Sequence, residues 1–132
     1  MSLRFGAFAL TALVLGSGCG GNGGTPPGAR GDLTVSFVES GSDLGAVLLT
    51  VTGGEVETVT AISGGVVVSF ASASPGVTRI VVSGSLVPGD LLRLRVPDVN
   101  AVDAYAIRID QSAHAETFAL LDPALSSFSI RR

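Results

Sequence analysis

Gly89-Asp90-Leu91-Leu92-Arg93-Leu94-Arg95-Val96 is the stretch on which the fold turns. Leu92, Leu94 and Val96 alternate with Arg93 and Arg95, and in an extended chain such alternation sends the first set to one side and the arginines to the other. Pro88-Gly89 opens the stretch and Pro97-Asp98 closes it, as turn formers do at strand ends. The reading is a strand with Leu92, Leu94 and Val96 in a core and Arg93 and Arg95 in water.

The same period of two runs outward in both directions from this strand. Leu33, Val35 and Phe37 alternate with Thr34, Ser36 and Val38 until Ser40-Gly41-Ser42-Asp43 ends the run. Val47, Leu49 and Val51 repeat the pattern and Gly53-Gly54 closes it; Val56 to Ile62 makes a third strand with Thr58 and Thr60 as β-branched fillers,. Tyr105, Ile107 and Ile109 line one face of a later strand whose other face carries Ala106, Arg108 and Asp110, and Phe128 and Ile130 mark a last strand.

Two runs differ: Val66-Val67-Val68 before Ser69-Phe70, and Ile80-Val81-Val82 after Pro75-Gly76, are apolar on both sides. Adjacent strand residues point to opposite faces, so one core cannot take all of them. They read as central strands covered on both faces, or as strands with one face left for a partner. Val67 and Val81 are the residues of that candidate interaction face. A helix competes only over Ala113 to Leu121, where Ala115, Phe118 and Leu121 fall at helical spacing and Asp122-Pro123 would stop it,. Such a helix, or a loop there, is one candidate cover for the outer valines.

About eight short strands separated by Gly/Pro turns, with no helices between them, predict an all-β fold, an antiparallel β-sandwich. The glycine before a long apolar strand in Gly45 to Thr52, together with the Gly89 to Val96 strand, resembles cohesin and related Ig-like sandwich modules. That resemblance implies the shape, Ig-like or cohesin-like, and no ligand.

Ahead of the domain, Met1 to Arg4 carries one positive charge, Phe5 to Leu15 is almost wholly apolar, and Leu15-Gly16-Ser17-Gly18-Cys19 supplies small residues before the only cysteine. This is the layout of an export signal. The apolar run is too short for a transmembrane span, which needs about 20 residues. Leu15 to Cys19 is similar to the lipobox of bacterial lipoproteins, with Leu15 one place further from the cysteine than usual. The resemblance implies cleavage after Gly18, a lipid on Cys19 and a membrane anchor, which leaves no free thiol for catalysis, disulfides or metal. Gly20 in place of an aspartate resembles the pattern that permits transport to an outer membrane in a Gram-negative host. Gly20 to Gly31 reads GGNGGTPPGARG, with too little apolar surface to offset its ordering entropy, and is expected to be a disordered tether,. Arg30-Gly31-Asp32 spells an adhesive tripeptide but reads here as the junction of tether and first strand. The expected organisation is a signal peptide over 1–18, a lipidated cysteine and tether over 19–31, and a β-sandwich over 32–132.

All eight basic residues are arginine, against eleven acids, for a formal charge of −3; removal of Arg4 with the leader takes it to −4. No basic stripe exists to neutralise phosphates, so no nucleic-acid partner is expected. For chemistry, Asp110, His114 and Glu116 come nearest to a set, since a histidine beside two carboxylates suits a metal or an acid–base pair. Without a second histidine or a thiolate, a zinc site lacks its usual ligands. Asp98-Val99-Asn100-Ala101-Val102-Asp103 starts like a calcium loop, but Val102 takes the fifth position and Asp103 the place of the turn glycine; a looser site from Asp98, Asn100 and Asp103 is the remaining metal candidate,. There is no Trp, and Tyr105 belongs to the inward face, so the flat exposed aromatics of a sugar platform are missing,. No catalytic set and no cofactor are expected. The expectation is a non-enzymatic, lipid-anchored envelope protein with a structural or protein-interaction role; the alternatives are a small metal-assisted hydrolase centred on His114, or an accessory subunit of an envelope complex.

Overall fold

The computed structural model describes residues 28–40 and 43–132. Among these residues nine strands run in chain order: β1 Gly31–Ser40, β2 Leu44–Thr52, β3 Thr58–Ala61, β4 Val66–Ser74, β5 Val77–Gly84, β6 Gly89–Val96, β7 Ala106–His114, β8 Leu120–Leu121 and β9 Ser126–Arg131. They form two antiparallel sheets, ordered β3-β6-β1-β9 and β4-β5-β2-β7-β8. Only β4–β5 and β7–β8 are hairpins within a sheet; every other connection crosses to the opposite sheet. The fold is the expected antiparallel β-sandwich.

The alternation explains the core. Leu33, Val35 and Phe37 of β1 and Leu92, Leu94 and Val96 of β6 face Val47, Leu49 and Val51 of β2 and Ile80 and Val82 of β5, all buried. Phe37 stacks on Phe128 of β9, directly across the strand pair, with centroids 5.0 Å apart. Each buried aliphatic side chain of this kind contributes roughly 1.5–3 kcal/mol. Leu91 is buried beside Leu92, which strict alternation does not allow. The register shift between Val35 and Ser36 inserts Leu91 as an extra residue in β6, and such a bulge turns two consecutive side chains inward,.

Several expectations are corrected. The third strand is Thr58–Ala61, shorter than Val56 to Ile62. Ala113 to Leu121 holds no helix: β7 runs on to His114, a turn follows, and Leu120-Leu121 pairs back as β8, a strand the sequence reading lacked. Local helical spacing loses here to the ladder, where Ala113 and Ser112 pair with Leu120 and Leu121. The run Val66 to Val68 is not central, because β4 is the edge of its sheet; β5, with Ile80 to Val82, does lie inside.

Candidate functional site

The outer face of the five-stranded sheet follows from register. Leu48 of β2 lies opposite Val81 of β5 and Gln111 of β7, and Val81 lies opposite Ser69 of β4. One row along, Val67, Ser83, Ala46, Ala113 and Leu120 line up across all five strands. These residues sit at positions of opposite parity to the core set, so their side chains point away from it. Val67 is 69% exposed, Val81 47% and Leu120 73%. Ala46, Leu48, Val81, Ala113 and Leu120 border a shallow apolar groove of about 240 Å³. Among the described residues no helix or loop covers it, and Ala113 to Leu121 adds to the sheet instead.

The turn beyond β7 extends this surface and is held by its own polar groups. His114 Nδ1 accepts the backbone N–H groups of Glu116 and Thr117 at 3.2 and 3.4 Å, Thr117 Oγ1 accepts that of Ala119, and Phe118 donates to the His114 carbonyl. Ala115 N–H is tied to the Asp43 carbonyl at 2.9 Å. The turn thus presents Phe118, 79% exposed, with φ at 58°. A bulky residue in the left-handed region costs roughly 1–2 kcal/mol, a cost the surrounding hydrogen bonds offset.

The other half of the same face is polar. Thr50, buried in the middle of β2, donates from Oγ1 to Asp110, and Arg108 Nε donates to the second oxygen of Asp110 at 2.8 Å. The Thr50 hydroxyl holds the Asp110 carboxyl below its ordinary range; partial burial works against this, while Arg108 and the charge of Arg79 assist,.

The residues singled out for chemistry do not come together. Asp110 is engaged by Thr50 and Arg108, and His114 Nδ1 is occupied by the turn it caps. Asp98 lies at the opposite end of the sandwich, where its Oδ1 accepts from Ala29 N and Asn100 N at 3.2 and 2.9 Å and caps the 3-10 segment Val99–Ala104, which also carries Asp103. Asn100 Oδ1 accepts from Arg132 at 2.8 Å. Among the described residues no three of His, Cys, Asp and Glu group as a metal set. Tyr105 is half-buried just before β7 and donates to the Glu55 carbonyl at 2.7 Å; burial pushes its hydroxyl pKa up, with the Glu55, Asp98 and Glu57 charges adding to this. The tripeptide at the start of β1 is engaged too, Arg30 with Glu57 at 2.8 Å and Asp32 with Arg95 at 3.2 Å. Cys19 and the lipobox-like residues lie outside the described residues.

Val67 and Val81 were legible as outward candidates because each sits mid-run between two apolar neighbours. Leu48 carries the same signal within Val47-Leu48-Leu49. Leu120 and Phe118 carried none, since their placement depends on the β7–β8 pairing. No protein-family model, curated protein or solved structure matches this chain.

Proposed function

We propose that this chain is a lipid-anchored envelope protein whose β-sandwich serves as an interaction module, using the outer face of the five-stranded sheet. The observation that supports it is the uncovered apolar surface of Val67, Val81, Leu48 and Leu120. Contiguous apolar surface of this kind gains free energy when a partner covers it. The anchor rests on Leu15 to Cys19, and an outer-membrane location, in a Gram-negative host, on Gly20. The Ig-like or cohesin-like resemblance extends to shape alone. A non-enzymatic role is favoured over the hydrolase alternative because the Nδ1 of His114 and both oxygens of Asp110 are already committed to internal hydrogen bonds.

Two measurements test the reading. Several acyl chains bury enough CH₂ groups to make attachment effectively permanent, so the wild type belongs in the membrane fraction and Cys19→Ala should accumulate as an uncleaved precursor or a soluble protein. Cleaved, unmodified wild type in the aqueous fraction would end the lipoprotein reading. For the face, Val81→Asp should keep the thermal transition of the wild type while losing the proteins that co-purify with it from native membranes. An unchanged set of co-purifying proteins would remove the face from the proposal.

A further inference from the structure

The four sheet edges are not protected alike. β3 presents four residues, β8 two, and β9 ends at Arg131 with Arg132 directly after it. Short strands and charges of this kind blunt an edge against pairing. β4 has nine residues, Val66–Ser74, with neither charge nor proline, and among the described residues no strand pairs with its free side. From Ser69 to Ser74 every one of its residues is exposed. Its single irregularity, a register shift between Ser72 and Ser74, leaves Val66 to Ser72 as a regular ladder.

We infer that β4 pairs antiparallel with β4 of a second copy about a two-fold axis at Ser69, joining two five-stranded sheets into one of ten strands. The sequence of the ladder is complementary to its own reverse. With Ser69 opposite Ser69 of the second copy, Val67 meets Ala71, Val66 meets Ser72, and Val68 meets Phe70. Large residues thus face small ones, and the aromatic meets a β-branched side chain, a favourable cross-strand pair. Phe70, 39% exposed at this edge, gains cover on the core-side face. Charge also permits the arrangement: β4 carries none, and Arg79, opposite Ala71 on β5, falls in a different row from its counterpart. A two-fold contact of this type closes on itself and stops at a dimer. A partner of another kind would need its own charge or shape match, and nothing along β4 calls for one.

This inference uses neither Cys19 nor the groove, so it stands or falls apart from the function proposed above. The test is a charge swap on the axis, with the full chain purified in mild detergent and its protein mass followed by density-matched sedimentation equilibrium. Wild type should sediment as a dimer. Ser69→Asp and Ser69→Lys should each be monomeric at concentrations about tenfold above those that fully pair the wild type, because like charges meet at the axis. An equimolar mixture of the two variants should return to dimer mass, which also shows that both are folded. Val81→Asp, on β5 and away from the edge, should remain dimeric. A monomeric wild type, single variants that dimerise as the wild type does, or a mixture that stays monomeric would each overturn the inference.

Discussion

On the outer face of the four-stranded sheet the charged side chains answer one another: Arg95 and Arg93 reach Asp32 at 3.2 and 3.8 Å, and Arg131 reaches both oxygens of Asp90 at 2.7 Å while Ser36 donates to the same carboxylate. Among the described residues the outer face of the five-stranded sheet has such a network only around Thr50 and Asp110, and its other half is mainly valine, leucine and alanine, with the uncharged Ser69, Ser83 and Gln111 among them. Both faces lie opposite one shared core, so the core does not dictate the difference. Exposed ion pairs contribute only about 0–1 kcal/mol each; the paired charges keep the first face in water more than they hold the fold. The second face gives up that hydration, which makes sense physically where something else comes to lie on it.

Substitutions in the core should cost far more stability than those on either outer face. Leu94→Ala on β6 empties a fully buried site in an internal strand and should cost about 2–5 kcal/mol in denaturant unfolding. Leu48→Ala, of the same chemistry on the outer face, should cost less than half as much. Equal losses would mean that the groove is packed as a core and would break the contrast between the faces.

Next comes the polar half of the five-stranded sheet. Thr50→Val keeps the shape and removes the hydroxyl, so it should cost about 1 kcal/mol and let the Asp110 carboxyl rise toward its ordinary range. The acid limb of stability tests the same groups. The Arg131 guanidinium and the Ser36 hydroxyl hold Asp90 below its usual value, as Thr50 does Asp110. A carboxyl lowered by folding adds stability that is fully present above about pH 4 and is lost as pH falls through the folded value. Asp110→Asn and Asp90→Asn should therefore each make stability less steeply dependent on pH below about 4. An unchanged slope in both variants would show that neither network survives in solution.

Smaller still are the substitutions that change a face without touching the core. Arg93→Ala, on the charged face, should cost under about 1 kcal/mol. Val81→Asp should likewise shift stability by less than about 1 kcal/mol, because an exposed side chain is replaced. A collapse of the fold in Val81→Asp would assign this valine to the core and leave the apolar face without support.

The two faces also differ in how far they could be read from the chain. Leu92, Leu94 and Val96 against Arg93 and Arg95 declare both a strand and its orientation, because polar and apolar residues obey the same period. In Val66-Val67-Val68 there is no polar residue to mark the outside, and a run apolar on both sides reads as central even though β4 is an edge. Strand order depends on pairings between residues far apart in the chain, such as Gly31 with Val96, which local periodicity does not encode. The Leu91 bulge and the two-residue β8 are set by register in the same way. His114 shows the limit for chemistry: its neighbours in sequence suggested carboxylate partners, whereas the backbone N–H groups of its own turn take its nitrogen.

At the turn between β7 and β8 a substitution should barely change stability. Phe118 has almost no burial to lose, and its φ of 58° suits glycine better than any bulky side chain,. Phe118→Gly relieves strain in the folded state and adds freedom to the unfolded chain, two effects of opposite sign and of about 1 kcal/mol each. The midpoint of thermal unfolding should therefore stay put or rise slightly. His114→Ala, which removes the acceptor for Glu116 and Thr117, should loosen the turn and speed amide exchange at those two positions, and His114→Asn, with an oxygen in place of Nδ1, should restore part of the protection. If Phe118→Gly instead destabilised the protein by more than about 1 kcal/mol, the ring would be packed against the domain in solution, and the apolar surface of the five-stranded sheet would end at Leu120.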